Sequence, residues 1–204
     1  MIYLQILINS ILLGGMYAAI AVGFSLVWGV MNILNILHGT FLMLGGYLSF
    51  WLFHFYGVDP FLSLPLSAIA MFCLGYLIQL CIINQVIRAS FFMTLVLTFG
   101  LELIAVKLAL FFWTGDYRSV QTDYAGYSFH IGELVIPLMR LTLFVLGLLL
   151  TGGLFWFMAA TRTGRAIRAT RIDLEAAQLM GVNPAKIYAT TYGISAGLAG
   201  AAGA

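Results

Sequence analysis

The sequence MNILNILHGT, residues 31–40, separates two long apolar runs and decides what kind of fold this chain forms. Asn32, Asn35 and His38 recur in it at intervals of three residues. The apolar run on each side is long enough, at about 20 residues, to cross a bilayer as a helix. Backbone that is not helical is tolerated inside a membrane only where protein buries it or where it lines a cavity. The stretch therefore predicts an irregular segment buried in a bundle of membrane helices.

Composition extends this prediction to the whole chain. Of the 204 residues, 63% are hydrophobic and 8% are charged, whereas an ordinary soluble domain has about 25% charged residues. The first apolar run exceeds the roughly 7–15 residues of a signal-peptide core, so we expect the N-terminal helix to be retained. A formal net charge of +2 is too small to indicate a nucleic-acid-binding protein. We therefore predict one integral membrane domain over residues 1–204 and no separate soluble domain.

Hydropathy along the chain predicts an all-α, polytopic bundle of about six spans. The predicted spans are 7–30, 36–56, 61–86, 91–113 and 138–160, with a sixth that begins near residue 188. Short polar turns are expected at YGVDP (56–60) and at NQVIRAS (84–90). Because the sequence ends inside the sixth apolar run, we also expect it to be incomplete at its C-terminus.

Two longer connections predict how the chain is oriented. Residues 114–137 mix acidic, basic and tyrosine side chains, whereas residues 161–187 are rich in cations. The cations of the second connection are Arg162, Arg165, Arg168, Arg171 and Lys186. Cytoplasmic loops carry an excess of Lys and Arg, so 161–187 is predicted to be cytoplasmic. Counting back through the spans puts Arg88 inside, and puts 114–137 and the N-terminus outside.

The sequence contains few features that are typical of an enzyme. GISAG (193–197) matches the G-x-S-x-G nucleophile pattern, but that pattern needs a strand-to-helix turn, and here it lies in a Gly- and Ala-rich membrane helix. We therefore do not expect Ser195 to be catalytic. An intramembrane enzyme is the alternative, and replacing Ser195 with Ala would test it. The three histidines are scattered, and no metal-binding or phosphate-binding motif occurs. We expect no cofactor, and any ATP chemistry must come from a partner.

The connection 161–187 has the features of a short helix held between two spans. Thr163 is predicted to cap a first, basic helix. The segment EAAQLMG (175–181) forms a second short helix that ends at its glycine, since glycine readily adopts the left-handed conformation of a helix C-terminus. Asn183 followed by Pro184 predicts the cap and first residue of the next helix. The product is a small cytoplasmic projection that another protein can grip.

The segment EAAQLMG resembles the E-A-A-x-x-x-G signature of the permease subunits of bacterial ABC importers. Together with N-x-x-H-G at 35–39 and the run RTGRAIRAT (162–170), the resemblance narrows to the branched-chain amino acid permease family of the LivH type. The resemblance covers essentially the whole chain. The I-x-L-P ending of the general importer motif is absent here, which leaves the class of ATPase open.

The resemblance implies a function and a set of partners. The chain would be one permease subunit of an importer, working with a second permease subunit of the LivM type, ABC ATPase subunits and an external substrate-binding protein in the bacterial inner membrane. The solute would be a branched-chain or other neutral amino acid; a closely similar branch handles urea and short amides, and a passive channel is the alternative outside this class. The implied ATPase-docking residues are Glu175, Ala176, Ala177 and Gly181, with the neighbouring cations Arg165, Arg168 and Arg171.

Five residues are candidates for the translocation pathway or for a hinge beside it. They are Asn32, Asn35, His38, Gly39 and Glu102. The first four lie in the polar break, where polar side chains are expected to bond freed backbone carbonyls and where glycines, with Gly45 and Gly46, permit close packing. Glu102 lies near the middle of a predicted span, where an ionisable residue indicates a function or a partner. Lys107 points about 140° away from it on the helix, so the two are not an obvious pair.

The predicted outer loop carries charges that suit a protein partner. They are Asp116, Arg118, Asp123 and Glu133. We expect them to pair with the external substrate-binding protein, although an ordinary solvated loop has the same composition.

Overall fold

The computed structural model describes residues 2–87, 90–116, 118–120, 126–131 and 134–204. These residues form a helical bundle with one small hairpin. Its elements are α1 (Ile2–Met31), α2 (His38–Tyr56), α3 (Pro60–Ile78), a π-helical turn (Gln79–Ile83), α4 (Asn84–Val86), α5 (Phe91–Trp113), β1 (Ser128–Ile131), β2 (Leu134–Pro137), α6 (Leu138–Ala160), α7 (Arg162–Ile172), α8 (Leu174–Leu179) and α9 (Pro184–Gly203). The predicted all-α membrane architecture is thus confirmed in its main features, with the hairpin as an addition.

Four helical segments are long and apolar enough to cross a membrane: α1, the continuous segment Pro60–Val86, α5 and α6. The helices α2 and α9 lie where two further spans were predicted, but they do not belong to this apolar set. Their role as spans therefore remains a prediction. Helical structure also continues through Val86, so the polar turn expected to begin at residue 84 was wrong in its start.

The YGVDP turn is formed by the residues that predicted it. Gly57 adopts a positive φ of 64° at the end of α2. Asp59 then caps α3 by accepting a hydrogen bond of 2.9 Å from the backbone N–H of Phe61, and Pro60 occupies the first turn. A left-handed glycine followed by an Asp cap and a proline is a combination that favours reversal between two helices.

The helix α9 is the centre of the bundle and packs against α1, α2 and α3. Its glycines are what allow this close approach. A Cβ added to Gly197 would stand 2.9 Å from the carbonyl oxygen of Ala68 on α3, and one added to Gly45 on α2 would overlap the backbone of Gly200. Close approach of this kind, through small residues, is the usual way in which helices associate in lipid.

A second glycine contact joins α1 to α6. A Cβ on Gly147 would overlap the carbonyl group of Gly15, and a Cβ on Gly15 would strike Phe144. By contrast α5 buries only a few residues within the described part of the chain, namely Thr94, Thr98 and Ala109. The bundle therefore consists of a tightly packed group with α5 at its edge.

The hairpin β1–β2 fixes which helix ends lie together. Its strands are antiparallel, with Ser128 opposite Pro137. The amide of Gln5 on α1 exchanges two hydrogen bonds with the backbone of Val135, at 2.6 and 3.0 Å. The start of α1 and the hairpin thus share one end of the bundle, while α6 runs away from the hairpin to α7 at the other end. This agrees with the predicted arrangement, in which the N-terminus and 114–137 share a side.

Candidate functional site

The polar break between α1 and α2 is an irregular segment, as the sequence predicted. The helix α1 ends at Met31, and Asn32 follows with a positive φ of 52°. Asparagine is one of the few residues other than glycine that adopts this conformation readily. Residues 32–35 are not helical, and α2 begins at His38.

Asn35 connects the break to the central helix. It is 1% exposed, and its Oδ1 accepts a hydrogen bond of 2.7 Å from the hydroxyl of Tyr192 on α9, which is 0% exposed. The Nδ2 of Asn35 is buried without a hydrogen-bond partner. The side chain therefore uses its acceptor in packing and retains an unused donor, which is costly in a buried position.

His38 joins three helices. Its Nε2 lies 3.0 Å from the carbonyl oxygen of Ile20 on α1, and its Nδ1 lies 3.3 Å from the hydroxyl oxygen of Ser195 on α9. Because a carbonyl only accepts, we assign the ring proton to Nε2. In the neutral ring Nδ1 then accepts from the Ser195 hydroxyl. The imidazole thus ties α1 and α9 to the first residue of α2.

Asn35 and His38 bring part of the break inside the bundle, where both are buried. The hydroxyl of Thr98 on α5 donates to the carbonyl of Leu34 at 3.0 Å. Thr98 is seven residues after the start of α5, and Tyr192 is eight residues after the start of α9. At 1.5 Å per residue, the contacts of the break lie about 10–12 Å along α5 and α9 from the first residues of these helices. The chain therefore folds back into the bundle before α2 begins.

The remaining pathway candidates are arranged differently. Asn32 and Gly39 are exposed. A Cβ on Gly39 would meet no atom within 4 Å, so the expected close packing at Gly39 was wrong, whereas Gly45 and Gly46 do lie against α9. Glu102 is half-buried on α5, and the hydrogen bonds of Asn35 and His38 described above do not involve it. A pathway role for these residues remains a proposal.

The GISAG serine does not stand on a nucleophile elbow. Ser195 is buried in the middle of α9, a regular helix. His38 is its neighbour, but the other ring nitrogen of His38 contacts a backbone carbonyl and not a carboxylate. This geometry supplies neither the strained turn nor the orienting acid of that motif. No local sequence signal predicts that His38 and Ser195 meet, since 157 residues separate them.

A π-helical turn, which the sequence did not predict, interrupts the third span at Gln79–Ile83. Gln79 is fully buried, and its Nε2 donates to Oδ1 of Asn84 at 2.9 Å. Asn84 in turn donates from Nδ2 to the carbonyl of Ala185 in the first turn of α9. π-Helical turns inside α-helices occur frequently at functional sites. Here the turn connects the end of α3 to the start of α9.

A cavity of about 690 Å³ lies near the hairpin end of the bundle. Residues of α1, α2, α3, α6 and α9 form its mainly apolar wall, and Arg118, from the connection between α5 and β1, also lines it. Arg118 was expected to face a protein partner, but it is half-buried over the rings of Phe50 and Trp51 on α2. Asp116 is exposed and accepts from the hydroxyl of Thr114, while Asp123 and Glu133 lie outside the described residues, as does Arg88.

The candidate docking segment, 161–187, contains α7 and α8 at the opposite end of the bundle. The cap of α7 is Thr161, whose hydroxyl accepts from the backbone N–H of Gly164 at 2.9 Å, so the prediction of Thr163 as the cap was wrong. The helix starts two residues earlier because a Cβ-free Gly164 lies directly against the backbone of Met158. The cap of α9 is Asn183, as predicted, with Pro184 following.

The helix α8 ends as the sequence predicted. Gly181 has a φ of 83°. Its N–H bonds to the carbonyl of Gln178 at 2.9 Å, and the N–H of Val182 bonds to that of Ala177 at 3.0 Å. These two bonds are the Schellman pattern of a helix C-terminus. Of the other predicted docking residues, Ala177 is buried, and the exposed ones are Arg165, Arg168, Arg171, Glu175 and Ala176.

The end of this segment displays large apolar side chains. Ile172 is 86% exposed, Leu179 is 88% exposed and Met180 is 85% exposed. Exposed apolar groups outside the spans are typical of a protein contact surface. The cations of α7, in the same segment, are also exposed.

Comparison with known proteins decides what kind of membrane protein this is. Residues 6–204 match the family described as branched-chain amino acid transport system / permease component. The chain belongs to this permease family. Its members are transport components, which accords with the poor catalytic geometry at Ser195.

Three relatives illustrate how far the similarity extends. The high-affinity branched-chain amino acid transport system permease protein BraD of Pseudomonas aeruginosa is 31% identical, over 98% of this chain and 69% of the relative. The LivH protein of Escherichia coli is 26% identical over the same shares. A probable LivH protein of Methanocaldococcus jannaschii is 26% identical, over 98% of this chain and 64% of the relative. No solved structure matches this permease.

Proposed function

We propose that this permease is a subunit of an ABC importer that moves branched-chain amino acids, or other neutral amino acids, across the bacterial inner membrane by alternating access. The observation that carries the proposal is the docking segment: a capped, exposed helix α8 that leads directly through Asn183 into the central helix α9. The energy comes from ATP hydrolysed in partner ATPase subunits, and the permease itself performs no covalent step.

The docking surface is proposed to consist of α8 with its apolar and basic surroundings. The exposed side chains of Ile172, Leu179 and Met180 contribute apolar surface at one end of the bundle. Arg165, Arg168 and Arg171 supply positive charge next to it. Apolar anchors surrounded by charge are common in protein interfaces. Glu175, Ala176 and Gly181 complete the surface, while Ala177 is buried in a helix that packs against α7.

Movement of the docking segment is expected to reach the polar break through α9. The first turn of α9 is bonded to Asn84, and two turns later Tyr192 and Ser195 are bonded to Asn35 and His38. Rigid displacement of a packed helix is a common means of domain switching. A shift of α9 would therefore rearrange the break, and Asn32, Gly39 and Glu102 are proposed to border or hinge the pathway that this opens.

The remaining partners follow from the importer function. A second permease subunit of the LivM type would cover part of the exposed bundle, and the weakly packed α5 with Glu102 is a suitable contact for it. A substrate-binding protein would deliver the solute to the loop 114–137, where Asp116 is exposed. In this orientation the N-terminus is external and 161–187 is cytoplasmic.

The substrate class rests on the names of the relatives, which refer to branched-chain amino acid transport. Urea or a short amide is the alternative solute. A passive channel is the alternative mechanism, and it predicts that conduction does not depend on an ATPase.

An affinity pull-down of the tagged full-length gene product tests the proposal, with Gly181→Asp as the variant. The structure offers a matched control in Gly57→Asp, because Gly57 also has a positive φ and open space around it but lies at the opposite end. A P-loop ATPase should copurify with the parent and with Gly57→Asp, and less with Gly181→Asp, which puts a carboxylate into the proposed docking surface. If no ATPase copurifies with the parent, the importer assignment is wrong and the channel alternative is favoured.

A further inference from the structure

The basic helix α7 begins beside the last turn of α6. A Cβ added to Gly164 would stand 2.6 Å from the carbonyl oxygens of Phe157 and Met158, so the two backbones are in direct contact there. The helix α6 has 23 residues. At 1.5 Å per residue it is about 34 Å long, a little more than the roughly 30 Å of a bilayer's hydrocarbon core. Its last turn therefore lies at the level of the lipid headgroups, and the first turn of α7 lies at the same depth.

An exposed tryptophan supports this depth. Trp156 is 69% exposed and lies four residues before the end of α6. Tryptophan is enriched where the hydrocarbon meets the headgroups, because its ring is apolar and its N–H is polar. The neighbouring Phe155 is exposed as well. The end of α6 thus has the composition of a helix end at a lipid interface.

The arginines of α7 do not all face one direction. They recur at every third residue and are all exposed: Arg162, Arg165, Arg168 and Arg171. Each step of three residues falls about 60° short of a full helical turn, so the first and last arginines point about 180° apart and lie about 14 Å apart along the axis. A partner that approaches from one side therefore contacts only part of the row. The first two adjoin the span α6, whereas the last two adjoin α8 of the docking segment.

The first two arginines are positioned at the end of the span. Arg165 donates from Nη1 to the carbonyl of Ala160, the last residue of α6, at 3.1 Å. A guanidinium group has five N–H donors, so this bond leaves others for a ligand. Arg162, three residues earlier on the same helix, has its Cβ about 5–6 Å from that of Arg165. Asp173, the next carboxylate along the chain, follows the far end of α7. Two cations thus lie side by side at headgroup depth, and a phosphate group accepts paired hydrogen bonds from such groups.

We propose that Arg162 and Arg165 bind the phosphate group of an anionic phospholipid, whose acyl chains lie along α6 beside Trp156. Arg165 then belongs to the lipid site, and Arg168 and Arg171 remain the cations of the docking surface. The site goes beyond the importer function, because a lipid can bind there whether or not an ATPase does. The helix α7 packs against α1, α6 and α9. A lipid bound to it would hold the base of the docking segment at the membrane surface.

Native mass spectrometry of the full-length permease, assembled with its second permease subunit and ATPases, tests the site because it counts bound lipids one by one. Dioleoylphosphatidylglycerol and dioleoylphosphatidylcholine are titrated separately into the complex in detergent. At low lipid concentration the parent should carry one more phosphatidylglycerol than Arg162→Gln/Arg165→Gln. An arginine near an anionic headgroup contributes about fivefold in affinity, so the double variant should raise the apparent Kd of this lipid about 25-fold. Phosphatidylcholine binding should not change.

Arg168→Gln/Arg171→Gln is the matched control, since it removes the same charge from the same helix. It should keep the tightly bound phosphatidylglycerol and should reduce copurification of the ATPase. Arg162→Gln alone leaves the bond from Arg165 to Ala160 in place. It should weaken phosphatidylglycerol binding about fivefold, and it replaces the double variant if that variant does not fold. Equal binding of the two lipids by the parent, or an equal loss in both double variants, would overturn the proposal.

Two further outcomes separate a lipid from other anionic partners. Excess inorganic phosphate should not displace the phosphatidylglycerol, because it has no acyl chains to lie along α6. Displacement would make this a site for free phosphate, and the lipid proposal would be wrong. Loss of the ATPase from Arg162→Gln/Arg165→Gln, with phosphatidylglycerol binding unchanged, would assign the pair to the ATPase and would also overturn it. If no ATPase copurifies with the parent but the lipid result holds, only the importer function is wrong.

Discussion

The hydroxyl of Tyr192 donates a buried hydrogen bond of 2.7 Å to Oδ1 of Asn35, across 157 residues of sequence. This contact joins the polar break to the helix that continues from the docking segment. It is reinforced by the edge-to-face contact of Tyr192 with Phe41, whose ring centroids are 5.9 Å apart. The polar break and the helix that continues from the docking segment are therefore joined by this one pair of side chains.

Tyr192→Phe should weaken both stability and coupling. The change leaves Oδ1 of Asn35 buried without a donor, which we expect to cost about 1 kcal/mol. A double-mutant cycle with Asn35→Leu isolates the pair. Each change should cost less stability in a protein that already lacks the other partner. Thermal unfolding gives the stability term, and ATP-dependent uptake gives the functional one. Additive effects of the two changes would show that the hydrogen bond contributes nothing.

Ser195→Ala should leave transport largely intact. The variant removes one hydrogen bond of 3.3 Å to His38, which we expect to cost about 1 kcal/mol of stability. Uptake should persist because no nucleophile is required. A complete loss of activity in a folded Ser195→Ala protein would restore the intramembrane enzyme as an explanation.

Gly181 should tolerate asparagine better than alanine. A Cβ at this position meets no atom within 4 Å, so a side chain here is not opposed by crowding. It is opposed by the backbone φ of 83°, which few residues other than glycine adopt readily. Alanine should cost about 1 kcal/mol at such a φ, and asparagine less. The order of ATPase binding should be glycine, then asparagine, then alanine, and the reverse order of the two variants would contradict a backbone cause.

Gly147→Leu should prevent assembly of the bundle, whereas Gly152→Leu in the same helix should not. A side chain at Gly147 overlaps the backbone of Gly15, which cannot yield as a flexible side chain does, while Gly152 faces open space. Overpacking of this kind costs about 1–3 kcal/mol or more. Fluorescence-detected size-exclusion chromatography of the two variants makes the comparison. Equal monodispersity would show that α1 and α6 are not held together at this glycine.

The helices were predictable because their signals are local. Long apolar runs located every long helix to within a few residues, and Gly57, Asp59, Gly181 and Asn183 marked ends that the structure contains. Local signals also have limits, as Thr161 and Thr163 illustrate. Both threonines are capable caps, and the choice of Thr161 depends on the close contact of Gly164 with the end of α6.

The pairings within the site were not predictable for a different reason. Asn35 and His38 were recognised as unusual from their apolar surroundings, but their partners lie on α9 and α1. Such contacts depend on how helices pack, and sequence spacing contains no information on that. Arg118 shows the same limit, since a charged residue in a loop looks like a surface residue until the loop folds back over Phe50 and Trp51.

The π-helical turn at Gln79–Ile83 gives the third span a spare residue. Hydrogen bonds there reach one residue farther than in an α-helix, so removing a residue would close the turn into ordinary α-helix. Asn84 would still face Ala185, because the helices on either side would keep their phase. The same deletion inside α5 would rotate everything beyond it by about 100°. Among the described helices, this is the place where related chains can differ in length by one residue without turning their side chains to new partners.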